Sequence, residues 1–177
     1  MNGLEKFTGH LKTVVRHRHL VLVHCIKAGI PWQGLKHDLS KFSPTEFIPG
    51  VKYFQGFRSP NEGEREALGC SKAWMHHKGR NRHHFEYWLD INVATKKYCP
   101  VPMPTKYLIE MFCDRVAASK TYMKEKYTDA SAFEYYDGRR DKRELHPETA
   151  AALEELLVML KDKGEKETFA YIRTMKK

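Results

Sequence analysis

Apolar residues recur at three- and four-residue steps over most of the chain, and this spacing restricts the fold more than any other feature. Residues 4–28 show it most clearly, with one helical face made by Leu4, Phe7, Leu11, Val14, Val21 and Cys25. Gly29 and Pro31 then end that helix. Residues 105–124 also read as a helix. No segment reads as a convincing strand hairpin, so the spacing predicts an all-α fold.

The remaining helices are predicted from their start and stop residues. Ser43 and Pro44 begin one helix, and Glu46 would complete a capping box at its start. The other predicted helices are 32–42, 61–78, 131–139, 147–164 and 165–175. Residues 83–98 are ambiguous, and 99–104 form a rigid extended connector. We expect a single-domain helical bundle of about seven or eight helices over residues 1–177.

Length and composition indicate a globular protein. The chain has 177 residues, of which 41% are hydrophobic, so it can bury a real core. No apolar run could span a membrane, and the first residues lack the apolar core of a secretion signal. The four cysteines form no CxxC pair. We therefore expect a reduced, cytoplasmic protein without a membrane partner.

The chain is basic and rich in histidine. It carries 31 Lys and Arg against 22 Asp and Glu, a formal charge of +9. This charge favours anionic partners such as phosphates, nucleotides or nucleic acid, although it could also be spread over a solvated surface. Ten histidines are present, and four of them form two adjacent pairs.

Three histidines of the first predicted helix lie seven residues apart. His10, His17 and His24 therefore share one face, together with the apolar positions between them. We expect His17, the middle one, to be the best enclosed, and His24 is the alternative ligand on this helix. His19 points elsewhere and is expected to be exposed.

An aspartate occupies an apolar stripe of the helix at 105–124. The stripe consists of Tyr107, Met111, Asp114, Ala118 and Tyr122, so Asp114 is expected on the buried side. A buried carboxylate needs a cation, a metal or several donors. A salt bridge to an arginine of a neighbouring helix is the alternative to a metal.

Two further segments combine histidine with other polar residues. In "GLKHDLSKF" (34–42), His37 and Asp38 are adjacent and lie between leucines. In "WMHHKGRNRHHFEYW" (74–88), two histidine pairs are bracketed by tryptophans. The second segment could supply metal ligands or a basic aromatic patch that stacks on nucleic acid, and nothing in the segment alone decides between them.

The order of these residues resembles that of the HD-domain superfamily of metal-dependent phosphohydrolases. Its pattern is a helical histidine, an adjacent His-Asp doublet, optional further histidines and a distal aspartate. More narrowly, "HDLSKFSPTEF", "HHKGRNRHHFEYW" and "PMPTKYLIEMFCDRVAASKTY" resemble the family DUF5662, over roughly residues 10–160.

The resemblance implies an HD-like fold and one or two divalent transition metal ions, Fe or Mn above all. It implies that the first ion is held by His17, His37, Asp38 and Asp114. It implies that a second ion is held by His77, His83 and His84, with His76 in reserve. Leu35 and Leu39 would anchor the turn of the doublet in the core.

The activity implied is hydrolysis of a nucleotide or another phosphate ester. Asp38 and Lys41 would be catalytic, and the substrate would be bound by Lys41, Arg80, Arg82 and Arg115. Glu46 could shuttle protons, although the capping box already explains it. The rivals are a di-iron oxygenase, which some proteins with the His-Asp-x-x-Lys form are, and a non-enzymatic module that binds nucleic acid.

Overall fold

The computed structural model describes residues 1–139 and 144–176. This part of the chain holds eight α-helices: α1 (Gly3–Lys27), α2 (Pro31–Lys36), α3 (Pro44–Lys52), α4 (Pro60–Leu68), α5 (Lys72–Lys78), α6 (Thr105–Met123), α7 (Ser131–Asp137) and α8 (Pro147–Thr174). Short 3-10 helices cover Leu39–Phe42, Phe85–Tyr87 and Lys124–Lys126. The predicted all-α class is confirmed. No helix among the described residues is long and apolar enough to cross a membrane.

The core lies where α1, α6 and α8 pack together. Its largest fully buried side chains include Ile109, Phe112, Leu153, Leu156, Leu157 and Leu160. As predicted, His10, His17 and His24 are buried on one face of α1, and His19 is exposed. The expected order of enclosure is wrong, however, because His24 is 1% exposed and His17 is 7% exposed.

The segment predicted as one helix at 32–42 is interrupted at the His-Asp doublet. Helix α2 ends at Lys36, and Asp38 adopts a left-handed conformation with φ 52° and ψ 28°. The prediction that Leu35 and Leu39 anchor this turn in the core is wrong, since they are 48% and 53% exposed. Arg18 holds the turn instead: its Nε donates to the carbonyl of His37 at 2.8 Å.

Two more expectations are corrected between residues 60 and 100. The predicted helix 61–78 is divided, because Gly69 ends α4 with φ 75° and Ser71 caps α5 by accepting from the Trp74 amide. A small antiparallel hairpin, which we did not expect, pairs β1 (Leu89–Ile91) of the ambiguous segment with β2 (Tyr98–Pro100), which runs into the predicted extended connector. Strands of three residues are too short for an alternating pattern to stand out.

Helix α8 turns at Gly164, which has φ 77° and ψ 174°. Two helices meeting near this glycine were predicted, and the turn lies there. Beyond it, Glu165 pairs with Lys27 at 2.8 Å and also contacts Lys120. Arg173 donates to the carbonyl of Lys27 at 2.7 Å. The last part of α8 therefore fastens the C-terminal end of α1 to the core.

Candidate metal centre

The predicted ligands of the first ion come together from three elements. His17 of α1 and Asp114 of α6 lie 3.0 Å apart, measured from Nε2 to Oδ1. His37, from the turn after α2, places its Nε2 3.7 Å from the same oxygen. One ligand atom from each of the three residues lies within 4.8 Å of the others. The partner of Asp114 is thus a histidine pair rather than the arginine weighed as the alternative.

A second group adjoins the first and contains the other predicted ligands. Asp38 Oδ1 lies 3.3 Å from Nε2 of His77 and 3.5 Å from Nε2 of His83. His84 completes the group, with its ring 4.2 Å from that of His83 between centroids. Asp38 was predicted for the first ion alone. Its other oxygen, Oδ2, is 3.4 Å from Nε2 of His37, so Asp38 lies between the two groups.

Several of these ligand atoms are buried and make no hydrogen bond of acceptable geometry within the described residues. They are Nε2 of His17, His37, His83 and His84, and Oδ1 of Asp38. Each such atom costs roughly 1–3 kcal/mol when nothing satisfies it. Imidazole nitrogens mixed with carboxylate oxygens suit first-row divalent metals. The donor set therefore fits one or two such ions.

Glu110 orients one histidine in each group. Its Oε1 lies 3.0 Å from Nδ1 of His37 and 3.1 Å from Nδ1 of His83. When Nδ1 donates its hydrogen to a carboxylate, Nε2 keeps the lone pair that a metal requires. Glu110 was not among the residues predicted from the sequence. Its only signal was its place one helical turn before Asp114, on the same face of α6.

Glu46 performs the same task for α5. Its two oxygens lie 2.6 Å from Nδ1 of His76 and 2.7 Å from Nδ1 of His77. The predicted capping box is wrong, because Ser43 makes no side-chain cap and Glu46 faces these two imidazoles instead of the backbone. His77 belongs to the second group and His76 does not.

Metal binding is favoured by the ionisation of four of these ligands, the two carboxylates and two of the histidines. Burial alone would raise the pKa of Asp38 and of Asp114, but neighbouring histidines, joined at Asp38 by Lys41, outweigh it and hold both values well below the usual range. Burial lowers the pKa of His37 and of His84, which keeps these rings neutral. Burial also acts on His77, but Asp38 and Glu46 outweigh it and raise its pKa to about 9. Binding of a metal there would release a proton.

Lys41 lies beside both groups, as predicted. Its Nζ is 2.6 Å from Oδ2 of Asp38. Burial lowers the pKa of Lys41, but Asp38 and Asp114 outweigh that effect and raise it above its ordinary value. The ammonium group is therefore charged at neutral pH.

A cavity of about 610 Å³ reaches the ligands from one side. His84, Asp114 and Arg115 line it, and Nε of Arg115 is buried without a hydrogen bond within the described residues. Its wall includes Met111, Asp114, Ala118 and Tyr122. This stripe of α6 was expected to face the core. Met111 does lie in the core, at 2% exposed, but Ala118 and Tyr122 border the cavity. Ile109 and Phe112, on the neighbouring face of α6, fill the core.

Three other predicted residues lie elsewhere. Arg80 and Arg82 line a separate pocket and do not reach the cavity that Arg115 lines. His24, the alternative ligand on α1, lies away from both groups. Its Nδ1 is 3.3 Å from the carbonyl oxygen of Cys113, and its Nε2 is 3.2 Å from Nζ of Lys120.

Comparison with known proteins identifies the family of the chain. No curated protein and no solved structure matches it. A family model described as a family of unknown function, DUF5662, matches residues 6–159 and so contains every residue of the two ligand groups. The chain belongs to the DUF5662 family.

Proposed function

We propose that this protein is a metal-dependent phosphohydrolase that acts on a nucleotide or another phosphate ester. The observation that supports this best is the pair of adjacent ligand groups that meet at Asp38 and open into a cavity. Divalent ions held there would supply Lewis acidity and lower the pKa of water. The resemblance to the HD-domain superfamily points to the same chemistry.

The side chains around the ligands suit a phosphate group. Lys41 brings a fixed positive charge to within 2.6 Å of Asp38. Arg115 offers a planar fork of donors from the cavity wall, which matches phosphate oxygens in pairs. The formal charge of +9 favours the approach of anionic substrates.

The first test is metal content. We expect close to two ions per chain in protein made in metal-supplemented medium, and Fe- and Mn-loaded samples then enter a screen of phosphate esters and nucleotides. Folded protein that contains no metal and takes up none on titration would overturn the site.

Lys41 provides the second test. Lys41→Met should retain the metal and lower turnover on the order of 10²-fold, because it removes a charge aimed at the reacting group. Lys12→Met, at an exposed position of α1, is the matched control and should leave turnover unchanged.

An HD-type di-iron oxygenase is the second candidate. Some such enzymes carry the His-Asp-x-x-Lys form, and the contact of Lys41 with Asp38 supports this reading, because the lysine lies beside the ligands. Hydrolysis needs only Lewis acidity, so Mn-loaded protein should turn over with or without oxygen. Turnover confined to the iron form in air would replace hydrolysis with oxygenation.

A further inference from the structure

A second pocket, of about 360 Å³, shares no lining residue with the cavity at His84 and Asp114. It touches the back of the metal centre through His83 and Glu110. The ligand His83 and the orienting residue Glu110 therefore lie between two openings. We refer to this second opening as the basic pocket.

Four cationic side chains from separate parts of the chain converge on the basic pocket. They are Lys36 at the end of α2, Arg80 and Arg82 in the loop after α5, and Lys106 in the first turn of α6. None of them forms an ion pair with a carboxylate of the described residues. The one acid of the lining, Glu110, already accepts from His37 and His83.

Aromatic rings fix part of this charge and extend the pocket. The Arg82 guanidinium lies 5.6 Å from the ring centroid of Tyr87 and 5.9 Å from that of Tyr107. Trp32 also lines the pocket, with its side chain 71% exposed. A free indole face next to clustered cations suits a ligand with both a planar ring and several negative charges.

We propose that the basic pocket binds the di- or triphosphate of a nucleotide, as a second anion site distinct from the reaction site. Four positive charges exceed what one phosphate monoester balances, and the volume lies in the range of small-molecule sites. The inference does not depend on the proposed reaction.

A nucleic-acid strand fits the same chemistry less well. Trp88, which brackets the basic segment in sequence, donates from Nε1 to the carbonyl of Arg82 at 2.7 Å and packs on Tyr107. The histidines of the segment are mostly turned towards the metal centre. What remains is an open pocket with one well-exposed ring, that of Trp32, rather than a row of exposed rings.

Two tryptophans allow the openings to be observed separately, because Trp32 lines the basic pocket and Trp74 lines the cavity. The experiment follows the fluorescence of metal-loaded Trp74→Phe protein during titration with pyrophosphate and with ADP. Metal content is measured before and after, so that chelation is recognised. We expect a saturable change that is much smaller when Trp32→Phe is added to the same variant, and the remainder comes from Trp88, which packs on Tyr107.

Charge variants then locate the ligand. Arg80→Gln with Arg82→Gln should weaken binding at least tenfold, whereas Arg115→Gln should not. Lys12→Gln with Arg16→Gln removes the same charge from an exposed face of α1 and should leave binding unchanged. If the arginine pair proves unstable, Lys36→Gln with Lys106→Gln tests the same pocket through two exposed residues.

Three results would overturn the proposal. One is the lack of any saturable change. Another is binding that Arg115→Gln abolishes and the basic-pocket variants do not, which would place the anion at the metals. The third is tight binding of a single-stranded oligonucleotide without binding of pyrophosphate or ADP. An absence of turnover on every substrate would leave this result intact and count only against the proposed reaction.

Discussion

Oε1 of Glu110 lies 3.0 Å from Nδ1 of His37, and at nearly the same distance, 3.1 Å, it also faces Nδ1 of His83. One carboxylate oxygen thus sets the ring orientation of a histidine in each ligand group. Glu110 need not touch a metal to matter for both sites, because it determines which nitrogen of each ring is free.

Glu110→Gln should weaken metal binding at both groups. A neutral amide oxygen is a poorer acceptor for two N–H groups, and loss of such a partner typically costs 10–100-fold in metal affinity. Competition with a calibrated chelator measures this. Glu167→Gln, an exposed change on α8, is the matched control. Unchanged affinity in Glu110→Gln would show that its contacts do not orient the ligands.

Asp38→Asn should lose both ions, because Asp38 adjoins both ligand groups. Asparagine tolerates the left-handed conformation that Asp38 adopts, so the turn should persist while the charge is gone. In contrast, His17→Ala should chiefly lose one ion and His84→Ala the other. Metal per chain, measured after gel filtration, distinguishes these outcomes. One ion retained in Asp38→Asn would assign Asp38 to a single site.

Two histidines outside the groups serve as controls with distinct expectations. His19→Ala should affect neither metal content nor stability, because His19 is exposed on α1. His146→Ala should retain the metal but lose about 1 kcal/mol of stability, since its Nδ1 accepts from the Glu148 amide at the start of α8. Chemical denaturation measures the second effect. Loss of metal in His19→Ala together with retention in His17→Ala would reverse the assigned face of α1.

Arg18→Gln should destabilise the turn that carries His37 and Asp38. Arg18 donates to the carbonyls of His37 and Leu35, at 2.8 Å and 3.1 Å, and a glutamine cannot span both. We expect a loss of roughly 1–3 kcal/mol in the free energy of unfolding and weaker metal binding. Arg16→Gln, exposed on the same helix, should show neither. Equal metal affinity in the two variants would mean that the turn at His37 and Asp38 does not depend on Arg18.

His24 should make the protein less stable in mild acid. Burial and Lys120 lower its pKa from 6.5 to about 4, against an opposing effect of Glu165. As pH falls below 6.5, His24 binds a proton in the unfolded chain, whereas in the folded chain it stays neutral until about pH 4. The free energy of unfolding therefore decreases between these pH values, at most by about 1.4 kcal/mol per pH unit. His24→Gln should show a shallower slope between these pH values, and His19→Gln should match the wild type. Identical slopes in all three would contradict the prediction.

The sequence was informative where a single periodic element decides the outcome. The seven-residue spacing placed His17 on the buried face of α1, and the resemblance placed Asp114 opposite it. It failed where the outcome depends on neighbours distant in the chain. The predicted capping box would have explained Glu46 fully, yet Glu46 faces two imidazoles of α5 instead.

The backbone conformation of single residues could not be predicted from the sequence either. The leucines around the His-Asp doublet continue a helical pattern, but Asp38 breaks the helix by adopting positive φ. Arg18, 19 residues before His37, stabilises that break, and nothing in the local sequence pattern indicates this contact. Because contacts between distant parts of the chain also decide it, the division of the predicted substrate residues between two pockets could not be predicted.

The part of α8 beyond the turn at Gly164 is a brace that lies outside the family match. The family match ends at residue 159, whereas Glu165 and Arg173, which fasten the end of α1, follow it. The helix that carries His17 is thus steadied at one end by residues that the family model does not include. The support of α1 can therefore be tuned through this brace without altering a ligand or any residue of the family match.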